Sequence, residues 1–413
     1  MAKHFTKMVM VTLVLFGAVL FFGLAGKASA ATIGTTGAGA TNAASTATAK
    51  TPFYYGAWLP FWTTTAGEQE VAVNLDDFNE ISPFSYEIVG NNGTIQDDLG
   101  IDTGAWNGWF SAVRDDNVKI IPTIAWFDTG GIYNLLSVAS TRQAEETKIA
   151  QLAVANDFDG IDIDFEAMSP ATRPYFSLFI EGLAERLHPL GKTLTCSVVP
   201  RTPPSSLYVN PPTNIVYPEN YSVLNEYCDE VRIEAYDQDQ ADIQLDASKG
   251  GDGTLYGPVA DPDWVTKLIQ YAVQYINPKK IMLGIPTYGY EYEVSWSAGV
   301  TEYQRVRAWD FFGAMDRADS LGITPMRDNA GELSFTFAST TYIQDPPDLI
   351  SYVSSTEPAI LQNVAPGMTT FFVSFPDATS ELQKVALAKE YGLRGVMFFK
   401  VDGDIDPAIW NSL

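Results

Sequence analysis

Short, nearly continuous apolar runs recur along the chain from about residue 53 onwards, and stretches with helical periodicity separate most of them. Several runs lack a regular polar position, which is typical of strands that are buried on both faces. The predicted strands are 53–59, 81–89, 118–126, 158–166, 193–199, 230–236, 280–288 and 394–401. Eight strands that alternate with helices predict a parallel (β/α)8 TIM barrel.

The stretches between these strands carry helix signals. Ser140 and Ser380 each begin a capping-box pattern with a glutamine three residues later, and Gly392 stands where a C-terminal helix glycine is expected. Residues 171–188 and 263–276 predict two further helices. One long gap between strands seven and eight, 291–370, contains both strand-like and helical segments. It predicts a small α+β insertion in the barrel.

The N-terminal segment has the pattern of a secretory signal. Residues 1–30 combine a basic start, a long apolar run and the sequence Ala28-Ser29-Ala30. The apolar run is also near the minimum length of a membrane span, so a retained anchor is the alternative. Residues 31–51 are rich in Ala, Thr and Gly and predict a flexible linker before a folded domain at 52–413. We therefore expect a protein that is secreted or associated with the cell wall.

The charge of the chain is strongly acidic, with 25 Lys and Arg against 50 Asp and Glu. Such a charge repels nucleic acid and anionic lipid. We expect a neutral partner, a monomer, no nucleic acid, and no membrane contact unless the N-terminal segment is retained. The two cysteines, Cys196 and Cys228, are as compatible with a disulfide as with two buried thiols.

Histidine is too scarce to carry the chemistry. After the first 30 residues His188 is the one histidine, and it stands at a predicted helix end. A histidine-rich zinc site is therefore excluded, and a Ser-His-Asp triad would depend on this residue alone. Candidate chemistry must come from carboxylates and tyrosines.

The sequence DFDGIDIDFE, residues 157–166, places three acids two positions apart. In a strand, Asp162, Asp164 and Glu166 share one face. Isoleucine and phenylalanine occupy the positions between them and face the other way. Catalytic groups of such barrels cluster at the C-terminal ends of the strands, which is where Glu166 would lie. Neighbouring acids share protons, so the outermost can stay protonated near neutral pH and act as a general acid.

The acidic pattern Asp159-x-x-Asp162-x-Asp164-x-Glu166 resembles the signature of glycoside hydrolase family 18, the chitinase family. The segments EAYD, KIMLGIPTYGY and RGVMFFKVDGD resemble that family's sixth, seventh and eighth strands. The resemblance extends from about residue 53 to the end. By pattern, the chain is most similar to the bacterial branch that includes spore-germination and cell-wall glucosaminidases.

The resemblance implies a retaining, substrate-assisted hydrolysis of β-linked N-acetylglucosamine in chitin, chito-oligosaccharides or peptidoglycan, with no cofactor and no metal. Glu166 would protonate the glycosidic oxygen, and the N-acetyl group of the substrate would form an oxazolinium intermediate. Asp164 would orient that acetamido group and share a proton with Asp162 and Glu166. Tyr236 would hydrogen-bond the acetamido oxygen.

The resemblance also implies sugar contacts from Asp237 and Tyr288. Trp58, Trp62 and Trp126 lie at strand ends, where aromatic side chains can stack on sugars. Packing in the core or at the rim explains these tryptophans equally well. We take Trp126 as a candidate substrate contact.

Two positions depart from the family pattern. Glu234 stands where the family usually has methionine, and it should raise the pKa of neighbouring acids or pair with Arg201 or Arg232. Phe399 stands where the family has a tryptophan beneath the cleaved sugar, and it offers a smaller apolar face. Both positions are expected to contact substrate.

Two other functions remain open. A catalytically weak or inactive glycan-binding protein on the same fold is compatible with Phe399 and Glu234, although the intact Glu166 argues against it. A metal-dependent hydrolase is compatible with the acids, which could bind Ca²⁺ or Mg²⁺, but three collinear carboxylates surround a cation poorly.

Overall fold

Eight parallel strands form a closed barrel, which confirms the predicted fold class. In chain order, the strands up to Pro286 are β1 (Tyr54–Pro60), β2 (Glu80–Val89), β3 (Thr94–Asp97), β4 (Lys119–Ile120), β5 (Thr123–Trp126), β6 (Gly160–Phe165), β7 (Thr193–Val198), β8 (Glu230–Ile233) and β9 (Ile281–Pro286). The later strands are β10 (Tyr288–Ser297), β11 (Val300–Asp310), β12 (Met326–Arg327), β13 (Leu333–Ser339), β14 (Tyr352–Ser355), β15 (Thr369–Phe375) and β16 (Gly395–Phe399). The barrel order is β1, β16, β9, β8, β7, β6, β5, β2, and β2 pairs with β1 to close the ring.

The computed structural model describes residues 52–413, except 91, 240, 251–253, 298–299, 340–351 and 356–368. The predicted signal at 1–30 and the predicted linker at 31–51 lie outside the described residues. Within the described part, none of the helices has the length and apolarity needed to cross a membrane.

Helices connect the strands and cover the outside of the barrel. In chain order they are α1 (Thr64–Val73), α2 (Asn107–Asp115), α3 (Thr129–Ser137), α4 (Ala139–Ala155), α5 (Arg173–Leu187), α6 (Pro204–Leu207), α7 (Tyr221–Tyr227), α8 (Ile243–Lys249), α9 (Pro262–Ala272), α10 (Phe311–Ser320) and α11 (Ala378–Glu390). The outward side chains of the strands pack beneath them; Ile161 and Ile163 of β6 are fully buried, and Phe165 stacks on Phe179 of α5 with ring centroids 5.3 Å apart.

The insertion is a second, antiparallel sheet with the strand order β11, β10, β15, β13, β12, and β14 pairs with β13. Its apolar face packs on α10, where Ala314 and Ala318 meet Phe335 and Val373. The sheet begins at Tyr288, which a single residue, Thr287, separates from the end of β9. Strand β15 ends at Phe375, so the insertion is longer at both ends than the predicted 291–370. The end of barrel strand seven therefore continues directly into the insertion.

Several predicted boundaries are wrong. The predicted strand 118–126 is two short strands, and the predicted strand 230–236 stops at Ile233 because the Ala235 N–H turns back to the Ile233 carbonyl. The predicted helix caps are also misplaced: Ser140 lies inside α4, and Ser380 is the third helical residue of α11, which Asp377 caps.

The structure also tests the predicted glycine at a helix end and the two alternatives for the cysteines. Gly392 follows α11 with a φ of 64°, as expected of a glycine that ends a helix. Cys196 lies in β7, and Cys228 lies two residues before the start of the neighbouring strand β8; the two cysteines form a disulfide. Of the two alternatives for the cysteines, the structure contains the bridge.

Candidate active site

A cleft of about 540 Å³ opens at the C-terminal ends of the barrel strands. Its acidic lining residues are Glu87, Asp98, Asp164, Glu166, Glu234 and Asp237. Its aromatic lining residues are Trp58, Phe61, Trp62, Phe84, Phe127, Tyr236, Tyr288 and Phe399. None of the described residues that line it is basic. The cleft thus combines aromatic surface with a strongly negative field.

Strand β6 positions the predicted acids by simple alternation. Asp162 lies beside Thr195 of β7 and Asp164 beside Ala125 of β5, and both point into the barrel. Glu166 follows the end of the strand and is half-buried at the mouth of the cleft. The three acids therefore form a vertical row, with Asp162 at the bottom and Glu166 at the top.

Asp162 is fully buried and surrounded by hydrogen-bond donors. Thr195 donates to one carboxylate oxygen at 2.7 Å. Ser197 and Thr123 each donate to the other oxygen at 2.9 Å, and the Trp58 indole N–H approaches it at 3.5 Å. These donors hold Asp162 in one orientation beneath the cleft.

A buried arginine lies on the far side of Asp162. The Arg232 guanidinium, on β8, is 3.3 Å from Asp162 and 3.0 Å from Glu80, and all three side chains are fully buried. Glu230 is 3.8 Å from Arg232 and 2.6 Å from Arg394. Burial and the neighbouring Glu80 raise the pKa of Glu230 to about 8. With Glu230 protonated, two guanidiniums face two carboxylates, so charge is balanced at the bottom of the barrel.

Three carboxyl groups meet above this network. One oxygen each of Asp164, Glu166 and Glu234 lies within 4.8 Å of the others. Burial, followed by the Glu166 and Asp162 charges, raises the pKa of Asp164 well above its usual value. Burial and the Asp237 and Glu219 carboxylates raise the pKa of Glu166 to about 7. Protonated carboxylic acids therefore exist in this cluster near neutral pH.

Glu234 belongs to the cluster because of the local path of the chain after β8. A Cβ atom at Gly284 of the adjacent strand β9 would lie 3.0 Å from the Tyr236 ring and 3.2 Å from the Glu234 Cα. Glycine at this position lets the segment after β8 pack closely on β9. Burial and the charges of the neighbouring acids raise the pKa of Glu234 well above its usual value.

Neither arginine considered as a partner of Glu234 is available to it. Arg201 forms an ion pair with Glu219 at 3.0 Å and lies over the Tyr221 ring, 3.6 Å from its centroid. Arg232 is held by Glu80 and Asp162. The described residues place no cation within ion-pair distance of Glu234.

Tyrosines form one wall of the cleft. Tyr236 is 7% exposed, and burial raises its pKa well above 10, so its hydroxyl keeps its proton and can donate it in a hydrogen bond. Tyr288 and Tyr290 each donate a hydrogen bond of 2.6 Å to Asp237. Asp237 has a φ of 55°, a left-handed conformation that Asp tolerates better than most residues. The carboxylate of Asp237 is thus fixed at the rim by the first strand of the insertion.

Phe399 lies among the aromatic residues at the cleft floor. Its ring stacks on Tyr236, with centroids 5.1 Å apart and an interplanar angle of 14°. Trp58 and Tyr288 meet it edge-on at 5.8 and 5.9 Å. The floor is therefore an aromatic cluster to which Phe399 contributes one face.

The prediction that Trp126 contacts substrate is wrong. Trp126 pairs with Phe165 across β5 and β6, and both point outwards because they follow the inward Ala125 and Asp164. Trp126 is 1% exposed and meets Phe165 edge-on at 5.5 Å. The tryptophan belongs to the core between barrel and helices.

Two further aromatic residues that line the cleft were not among the predicted substrate contacts. Phe61 and Phe127 directly follow β1 and β5, and their side chains are 38% and 46% exposed. The position immediately after a barrel strand is the signal that could have found them. Trp62, predicted as a possible sugar contact, lines the cleft beside Phe61 and is 50% exposed.

The cluster of Asp164, Glu166 and Glu234 meets the distance requirement for a cation site. Burial and mutual repulsion raise the pKa values of all three groups, which favours the sharing of protons within the cluster.

Comparison with known proteins identifies this arrangement. The family model of the glycosyl hydrolases family 18 matches residues 57–404, which is most of the chain. The chain belongs to glycosyl hydrolase family 18. All of the cleft acids lie inside the matched range.

Proteins similar to this chain come from bacteria and from a plant. The uncharacterized glycosylase YvbX of Bacillus subtilis (strain 168) is 26% identical over 184 residues, which cover 45% of this chain and 48% of YvbX. The chain spans about half the length of the curated relatives it matches.

Two solved structures show the fold. The Bacillus cereus spore cortex-lytic enzyme SleL has a TM-score of 0.63 at 20% identity, covering 87% of this chain and 73% of SleL. A plant class V chitinase mutant from Cycas revoluta, in complex with (GlcNAc)3, has a TM-score of 0.62 at 18% identity, covering 87% of this chain and 98% of the chitinase.

Proposed function

We propose that this family 18 protein hydrolyses β-linked N-acetylglucosamine glycans with retention of configuration, and that Glu166 is the general acid and base. The observation that carries the proposal is the position of Glu166, at the mouth of an aromatic cleft and within 4.8 Å of Asp164, where burial and neighbouring acids raise its pKa to about 7. An acid with that pKa is protonated in a substantial fraction of molecules at neutral pH.

The order of events follows from the positions of the groups. The glycosidic oxygen takes the proton of Glu166 as the bond from that oxygen to the anomeric carbon breaks. The acetamido oxygen of the same sugar bonds to the anomeric carbon, and the ionised Asp164 stabilises the positive charge that forms. Water then attacks the anomeric carbon, releases the acetamido oxygen and returns a proton to Glu166.

The tyrosines and aromatic floor complete the sugar site. The Tyr236 hydroxyl donates a hydrogen bond to the acetamido oxygen and holds it near the anomeric carbon. Phe399 and Trp58 provide an apolar surface under the sugar ring. The aromatic rim at Phe61 and Trp62 extends this surface along the glycan.

Chitin, chito-oligosaccharides and peptidoglycan all present the required N-acetyl group. The acidic lining, without a described basic residue, favours the neutral chito-oligosaccharides over glycans that carry muramic acid carboxylates. We propose neutral N-acetylglucosamine oligomers as the preferred substrates.

We also propose that the protein is exported, because residues 1–30 carry the secretory pattern and the folded domain contains a disulfide. N-terminal sequencing of the exported protein tests this proposal. Cleavage after Ala30 supports a signal peptide, whereas an intact N-terminus in the membrane fraction supports an anchor.

The decisive assay is hydrolysis of a fluorogenic chitotriose glycoside, with and without EDTA. We expect Glu166→Gln to lower kcat by about 10²–10⁴-fold, because it removes the acid and keeps the shape of the side chain. Glu145→Gln is the matched control, since Glu145 is also a buried glutamate with a raised pKa but lies on α4 outside the cleft. It should leave kcat unchanged.

Three results would contradict the proposal. Equal activity of Glu166→Gln and the parent protein would exclude Glu166 as the acid. Loss of activity in EDTA would instead favour a metal-dependent hydrolase. If the protein bound chitotriose but hydrolysed neither chitotriose nor peptidoglycan, the glycan-binding alternative would be favoured.

A further inference from the structure

Asp162 is engaged by a buried cation at the bottom of the cleft. The resemblance assigns Asp162 a proton shared with Asp164, but here Arg232 holds Asp162 in a fully buried ion pair at 3.3 Å. Three hydroxyl groups and the Trp58 indole also surround its carboxylate, and all of these contacts except that of Thr195 fall on the same oxygen as the ion pair.

Glu234 is placed to share a proton with Asp164. Its carboxyl group lies within 4.8 Å of Asp164 and Glu166, and all three residues line the cleft. The two arginines nearest in sequence are committed to Glu219 and to Glu80 with Asp162. Glu234 therefore has acidic neighbours and no described cation to hold it as a carboxylate.

We propose that Glu234 is a positioning residue for the hydrolysis, and that it holds a proton beside Asp164 while Asp162 stays in its ion pair with Arg232. This inference rests on the proposed function. Protonated Glu234 donates a hydrogen bond to Asp164, directly or through one water, and keeps Asp164 ionised where it meets the acetamido group. The raised pKa of Glu234 agrees with this assignment.

The proton balance of the reaction is unchanged. Glu166 gives its proton to the leaving oxygen and later recovers one from water. The Glu234 proton stays in the contact with Asp164 through both steps. The Glu234 proton therefore reduces the repulsion between Asp164 and Glu166 when Glu166 becomes a carboxylate.

The charged surroundings of Glu234 set the sign of its effect on pH dependence. Asp162, Asp164 and Glu166 face it from β6, Asp237 and the Tyr236 hydroxyl lie on its own segment, and the adjacent strand β9 presents Gly284. Among these acids, protonated Glu234 donates to Asp164, and a hydrogen-bond donor lowers the pKa of the carboxylate that accepts it. Removing the donor therefore raises the pKa of Asp164, and activity on the acidic side of the profile is lost at a higher pH.

Two substitutions separate the parts of the proposal. Glu234→Gln keeps a hydrogen-bond donor for Asp164 but cannot ionise, whereas Glu234→Met introduces the residue usual in the family and donates nothing. We expect Glu234→Gln to keep most of the turnover and to leave the acidic limb of the kcat/KM profile in place. We expect Glu234→Met to lower kcat by about tenfold or more relative to Glu234→Gln and to move the acidic limb up by about one pH unit.

The measurement is the pH profile of kcat and kcat/KM for both variants, the parent protein and Glu145→Gln, on the fluorogenic chitotriose glycoside. Thermal unfolding of each variant shows that it is folded. An acidic limb in Glu234→Met that stays where it lies in the parent protein would overturn the proposal. Equal kcat in Glu234→Met and Glu234→Gln would also overturn it, because a packing role does not distinguish the donor. A parent protein that hydrolyses nothing would instead refute the proposed function.

Discussion

Arg232 is predicted to be essential for stability, because it is the cation that pairs with Glu80 and Asp162 at the bottom of the barrel. Its guanidinium is fully buried, lies 3.0 Å from Glu80 and 3.3 Å from Asp162, and donates a hydrogen bond to Ser82 at 2.6 Å. The Arg232→Met substitution keeps much of the side-chain volume but leaves two buried carboxylates without this partner. Removing one member of a buried ion pair costs about 3–5 kcal/mol, and we expect a loss of that size at pH 7.

Urea unfolding followed by tryptophan fluorescence measures this loss. With a slope of about 3 kcal/mol per molar urea, the midpoint should fall by about 1 M or more. Lys192→Met is the matched control, because the Asp157 partner of Lys192 is 84% exposed and an exposed pair contributes about 0–1 kcal/mol. Its midpoint should hardly change.

Two further comparisons test the cause rather than the size of the effect. Adding Glu80→Gln to Arg232→Met removes one uncompensated carboxylate and should recover part of the lost stability. The deficit of Arg232→Met should also be smaller at pH 5 than at pH 8, since protonation neutralises unpaired acids. A loss below about 1 kcal/mol, or a deficit that is independent of pH, would refute the charge argument.

Four other predictions concern the cleft and the disulfide. The kcat/KM of the parent protein should fall as pH rises through about 7, because Glu166 must be protonated to act as the acid, and a pH–rate profile checks this. Phe399→Ala should raise KM about tenfold in steady-state assays with chitotriose, because it removes a stacked face from the cleft floor. Neutral chito-oligosaccharides should be hydrolysed faster than glycans with muramic acid, and raising the salt concentration should narrow the difference, because screening weakens the negative field of the cleft. Replacing both Cys196 and Cys228 by alanine should lower the free energy of unfolding by about 3–4 kcal/mol in urea titrations, because the bridge closes a loop with a sequence separation of 32; dithiothreitol should destabilise the parent protein and leave that variant unaffected.

The barrel could be predicted from the sequence because its signals are local. An apolar run flanked by helical periodicity identifies a buried parallel strand without reference to its partners. Alternation with period two placed Asp162, Asp164 and Glu166 on one face before any neighbour was known. The same local rule predicted the eighth barrel strand, RGVMFFKV at 394–401, with both ends within two residues of those of the observed β16.

Local sequence signals could not predict where a strand ends or which of several neighbours a side chain contacts. The path after Ile233 depends on the close packing of Gly284, and the direction of Trp126 depends on the register between β5 and β6. The same limit explains the helix caps, since Asp377 and Ser380 are both able to cap and only the backbone geometry selects Asp377.

The electrostatic design of the site was decided entirely by tertiary structure. The sequence contains Glu234 and two arginines near it, Arg201 and Arg232, and permits either pairing. The fold instead brings Arg232 to Glu80 and Asp162, and Arg201 to Glu219, across large separations in sequence. Charge interactions depend on distance and burial rather than on order along the chain. The sequence therefore determined which acids line the barrel, and the folded arrangement of their neighbours determined which of them keep a proton.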